Sequence, residues 1–83
     1  MNVAGLRTAL TLAQVDPRYY SLNGGIANDT VCLEPLAEGR WTVYYTERGS
    51  KFEVQVFDSE SAACVHMFSL LEGDPSVRIA NQS

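Results

Sequence analysis

Apolar positions recur along the chain with two different periods, and the switches between them divide it into elements. Leu6, Ala9, Leu10 and Ala13 follow the i, i+3, i+4, i+7 spacing of one helical stripe, while Arg7, Thr8, Thr11 and Gln14 take the other side. This predicts a helix over about residues 3–15. Asp16-Pro17 ends it, because the residue before a proline is pushed out of the α region. Residues 16–29 hold the turn formers Asn23-Gly24-Gly25 and Asn28-Asp29 and read as a loop, with Tyr19, Tyr20 and Leu22 as its anchors.

From Thr30 the period drops to two. Val31 and Leu33 alternate with Cys32 and Glu34; Trp41, Val43 and Tyr45 alternate with Thr42, Tyr44 and Thr46; Phe52, Val54 and Val56 alternate with Glu53, Gln55 and Phe57. Strands are predicted over about 30–36, 40–47 and 51–57. Ala37-Glu38-Gly39 and Arg48-Gly49-Ser50 are short, glycine-bearing connections, which make neighbouring strands antiparallel. The helical period then returns over about 59–72, with Ala63, Cys64, Met67, Phe68, Leu70 and Leu71 on one arc. Asp58 or Ser59 can cap this helix, Glu60 suits its positive end, and Gly73 followed by Pro75 stops it. The tail runs over 73–83, and its part from Ser76 to Ser83 is expected to fray, with Val77 and Ile79 as candidates for a short edge strand.

The order is α-β-β-β-α, an α+β fold in which a three-stranded antiparallel meander packs on its helices. Val31, Leu33, Trp41, Val43, Tyr45, Phe52, Val54 and Val56 are expected on the buried face. Two helices of this length cover one face only, which leaves the other, bearing Glu34, Tyr44, Glu53 and Phe57, open. With 83 residues the chain is a single domain with a modest core.

Ten Asp and Glu against six Lys and Arg give a net charge of −4, which argues against a phosphate-reading surface and hence against nucleic acid. Arg7, Thr8, Thr11 and Gln14 interrupt the N-terminal apolar stretch, so it reads neither as a signal peptide nor as a membrane span. Cys32 and Cys64 could form one disulfide, but free buried thiols in a reducing compartment are the expected state, and the location expected is cytoplasmic.

Enzymatic chemistry finds little purchase. His66 and Cys64 are two apart on a helix and point away from each other, which does not make a nucleophile–base pair. Two cysteines and one histidine without metal-ligand spacing predict no metal site, and no cofactor is expected. Glu34 and Glu53 share the expected open face but lack an enclosure to separate their pKa values. The Asn23–Asn28 stretch has no Lys-Ser/Thr after its glycines and reads as a turn, not a phosphate loop. What remains is a surface of aromatics and acids suited to a basic protein partner.

Four stretches carry a resemblance: Tyr20-Ser21-Leu22-Asn23-Gly24-Gly25, Cys32-Leu33-Glu34, the run from Trp41 to Gly49, and the run from Phe57 to Cys64. Together they resemble small bacterial immunity proteins encoded beside polymorphic toxins, over about residues 3–72. The resemblance implies a non-enzymatic inhibitor that occludes a cognate toxin domain, including toxins that consume NAD or transfer ADP-ribose. The contact set expected from the open face, the 16–29 loop and the second hairpin is Tyr20, Asn23, Asp29, Glu34, Tyr44, Glu47, Arg48 and Glu53. The alternative is a small regulatory or adaptor domain, or a homodimerising one, using the same face.

Overall fold

The computed structural model describes residues 1–22 and 29–79. Its first helix, α1 (Val3–Leu12), begins where the Asn2 side chain accepts a hydrogen bond from the Gly5 N–H at 2.8 Å. It ends earlier than the proline predicts. Gln14 adopts φ 62°, its N–H reaches the Thr11 carbonyl, and the Val15 N–H reaches back to the Leu10 carbonyl, both at 3.0 Å. These two bonds are a Schellman motif, which closes a helix through a left-handed residue just past its end. Val15 and Leu10 both belong to the core, as the apolar contact of that motif requires.

The sheet has four strands rather than three, in the order β1 (Tyr20–Ser21), β2 (Thr30–Pro35), β3 (Trp41–Glu47) and β4 (Ser50–Phe57). The expected meander is β2–β3–β4, antiparallel throughout; the two-residue β1 adds to its β2 side in parallel, pairing Tyr20 with Val31. Arg48 and Gly49 form the tip of the second hairpin with φ 54° and 80°, between the paired Glu47 and Ser50. Positive φ at both central residues marks a type I′ turn, whose twist matches that of the strands.

One residue overturns the expected division of the sheet faces. Val43 pairs with Gln55 but Tyr45 pairs with Phe52, so Glu53 and Val54 together oppose Tyr44. This is a β-bulge, and Glu53 sits in it at φ 52°, where glycine is the usual occupant. Beyond the bulge the alternation reverses. Phe57 and Gln55 now share a face with Trp41 and Val43, and Val56 shares one with Thr42. Phe57 therefore packs against the core, whereas Val54 and Val56, expected inside, are 53% and 52% exposed.

The second helix, α2 (Glu60–Glu72), is capped by Ser59, whose hydroxyl oxygen accepts from the Ala62 N–H at 3.1 Å. Glu60 does more than favour the helix dipole: its carboxylate accepts the otherwise free Val3 N–H of α1 at 2.8 Å, tying the two N-termini together. Ala63, Cys64, Met67 and Leu71 form its buried face. That face lies on β2, β3 and β4, and α1 packs chiefly on α2 rather than on the strands. Leu6 and Leu10 from α1 join Leu33 and Val43 from the sheet and Met67 from α2 in one buried cluster.

The segment from Gly73 to Ile79 folds back against the chain just past α1. Pro75–Val77 forms a 3₁₀ turn, Val77 is buried, and Arg78 pairs with Val15 in a short bridge. The Ile79 N–H donates to the Gln14 carbonyl at 2.7 Å and the Asp16 N–H to the Val77 carbonyl at 2.8 Å. The apolar positions Val77 and Ile79 signal this pairing; its partner, the chain just past α1, leaves no mark in the local pattern. The expected open face is corrected too: Thr30, Cys32, Thr42, Tyr44 and Thr46, all on the side away from α2, are buried.

Candidate functional site

Because α2 alone lies across the strands, part of the sheet beyond it stays uncovered. There a groove of about 420 Å³ opens between the strands, the C-terminal half of α2 and the 3₁₀ turn that follows it. The sheet contributes Val31, Val43, Tyr45 and Gln55, and α2 contributes His66, Leu70 and Leu71. The carboxylic residues Asp29, Glu53 and Asp74 complete it, with Tyr19 and Ser76 beside them. Among the described residues, the groove is thus lined by three of the chain's ten carboxylates and by none of its six Lys and Arg.

Each acid is held differently. The Tyr45 hydroxyl donates to the Asp29 carboxylate at 2.9 Å, and this bond pushes the Tyr45 phenol above its ordinary pKa. The Asp74 carboxylate accepts from both the N–H and the hydroxyl of Ser76, at 3.0 and 2.7 Å, which holds its pKa below the ordinary carboxylate value. Glu53 is placed by the bulge itself. Asp29 also has a positive φ, 56°, so two of the three acids occupy left-handed backbone positions. Such conformations cost energy for residues other than glycine and are concentrated at functional sites.

The eight residues expected at the site do not form one patch. Asp29, Tyr44 and Glu53 are among the residues that line the groove. Glu34 and the Tyr44 side chain lie on the other side of the sheet, where the Tyr44 hydroxyl donates to Glu34 at 2.8 Å and the Lys51 ammonium stands 4.4 Å from the Tyr44 ring centre. Tyr44 is only 2% exposed, so its ring offers a partner no area. The register also aligns Glu34 with Thr42 and Val56, not with Glu53. Tyr20 is half-buried against the core, Glu47 and Arg48 stand exposed at the hairpin, and Asn23 lies outside the described residues.

Most of the groove residues lie outside the expected contact set, among them the polar Tyr45, Asp74 and Ser76. Tyr45 reads as core by its alternation, and Asp74-Pro75-Ser76 reads as a helix stop. The Asp-Pro-Ser spacing that lets a side chain cap the next turn is the available signal.

The other reactive groups are occupied structurally. Cys32 and Cys64 are free and buried, and burial raises both thiol pKa values, which disfavours the nucleophilic thiolate. The His66 ring packs against Phe57, tilted by 40° with centroids 5.0 Å apart. Among the described residues no three His, Cys, Asp or Glu side chains cluster as metal ligands, and no helix is long and apolar enough to cross a membrane. In comparisons with known proteins, no family model, curated protein or solved structure matches the chain.

Proposed function

We propose that this chain is a protein-binding inhibitor of the immunity type, which occupies a cognate bacterial toxin domain and blocks it without catalysis. The observation that carries the reading is the cation-free groove lined by Asp29, Glu53 and Asp74, which opens beside the exposed apolar strand β4. A net charge of −4 with three carboxylates gathered in one concavity attracts a basic partner over a long range and orients its approach. Exposed Phe52, Val54 and Val56 supply apolar area of the kind found in the central part of an interface. The resemblance to toxin-linked immunity proteins supplies the class of partner, with NAD-consuming and ADP-ribose-transferring domains among the candidates.

The test is rescue. If a toxin gene is found beside this chain's gene, bacteria expressing that toxin's C-terminal domain should survive when the chain is co-expressed, and the purified pair should elute as a 1:1 complex by light scattering. Unchanged killing, or a chain that does not co-elute, refutes the immunity reading and leaves a regulatory adaptor in its place.

A further inference from the structure

Strand β4 ends the sheet. It has β3 on one side and, among the described residues, no strand on the other. A strand in that position presents a row of backbone N–H and C=O groups to whatever approaches, and proteins usually blunt such edges with proline, outward lysines, bulges or short length. Of these β4 carries only the bulge at Glu53 and Val54, and its pairing is regular on either side of it, over 50–52 and 55–57. It runs for eight residues without proline, and its one lysine, Lys51, is drawn over the Tyr44 ring. Phe52, on the α2 side, and Val54 and Val56, on the other, are exposed at 46%, 53% and 52%. The groove reaches this edge at Glu53 and Gln55.

Resting on the protein-binding part of the proposed function, we propose that β4 takes up an extended, basic segment of a partner protein as an added strand, and that a Lys or Arg side chain of that segment enters the acid-lined groove. Backbone pairing along an open edge supplies affinity, and alternate side chains supply specificity. Charge selects the occupant. A second copy of this chain would bring a net −4 and the same Asp29, Glu53 and Asp74 against their counterparts, whereas a cationic segment meets three carboxylates and no competing cation. The apolar wall formed by Val43, Leu70 and Tyr45 matches the methylene stem of a long basic side chain, whose charged head then lies among the acids.

Panning a display library of random peptides about a dozen residues long against the purified chain tests this even before a partner has been isolated. The expected winners carry Lys or Arg between β-branched residues. Their binding weakens about tenfold in Glu53→Gln, the loss expected for one charge-assisted contact. It weakens at least as much in Val54→Lys/Val56→Lys, which keeps exposed positions exposed while charging the edge. Neutral or acidic winners, no enrichment, or binding indifferent to both variants overturns the proposal. So does a doubled mass by light scattering that the double-lysine variant returns to monomer, because the edge would then belong to a second copy. Toxin rescue is read independently of β4: rescue without basic-peptide binding removes this docking mode alone, and basic-peptide binding without rescue removes the immunity reading alone.

Discussion

Tyr45 and Asp29, both of which line the groove, are joined by a 2.9 Å hydrogen bond in which the phenol donates to the carboxylate. The donor exists only while the phenol keeps its proton, and accordingly its pKa is raised, first by that bond and then by desolvation. A raised folded-state pKa means that the contribution to stability is fully present below the ordinary phenol range and is lost as pH rises through the raised value. In an ultraviolet titration, Tyr45 is expected to ionise later than an unperturbed tyrosine, and Asp29→Asn to bring it back toward the ordinary range. An unshifted titration in the parent chain, or no change in Asp29→Asn, would show that the bond does not persist in solution.

Gln14 closes α1 from a left-handed position that a glycine occupies at no steric cost. Replacing it with glycine relieves a strain of about 1 kcal/mol and leaves both main-chain bonds of the motif in place. For a domain of this size that is about 4–8 °C in thermal midpoint, upward. A lower midpoint in Gln14→Gly would mean that its side chain holds something more valuable than the backbone strain costs.

The layout of two helices around a meander is legible in the periods of the apolar positions, because each period reports which face of its own element is buried. Ser59 and Glu60 likewise mark the start of α2. Three features lie out of reach of that reading. The bulge at Glu53 inserts one residue into the alternation, and a glutamate carries no mark of positive φ, so simple alternation puts Val54, Val56 and Phe57 on the wrong faces. Strand β1 is two residues long, too short to show a period. The groove depends on α1 choosing α2 over the sheet, a matter of packing between elements rather than within one. Hence Asp29 and Glu53 are recognisable as exposed acids, but their convergence with Asp74 is not.

Arg78 joins the ends of both helices. Its guanidinium donates to the Ala13 carbonyl at 3.2 Å and to the Glu72 carbonyl at 2.8 Å, two of the carbonyls that each helix leaves without an internal partner. It also holds the Ile79 segment against Gln14 and Val15. Arg78→Ala should cost about 1–2 kcal/mol, one modest net contribution for each lost bond. Amide hydrogen exchange should speed up at Asp16 and Ile79, whose N–H groups depend on that pairing. If the midpoint falls while exchange at these two amides is unchanged, the guanidinium acts on the helices alone and the segment is held by Val77.

Glu53 separates stability from binding. Its φ of 52° costs about 1 kcal/mol or more for a residue with a β-carbon, and glycine at the same bulge escapes that cost. Yet Glu53 is also one of only three carboxylates in the groove among the described residues. Glu53→Gly should therefore leave the thermal midpoint unchanged or raise it, since the bulge is retained and the position is exposed. At the same time it should weaken the cognate partner, mainly through slower association, and the loss should shrink as added salt screens the charges. Glu53→Gln, which keeps the β-carbon and removes the charge, should reproduce the binding loss without the gain in stability. A glycine variant that loses stability as well would show that the glutamate is there to hold the bulge, and the strain would then say nothing about a partner.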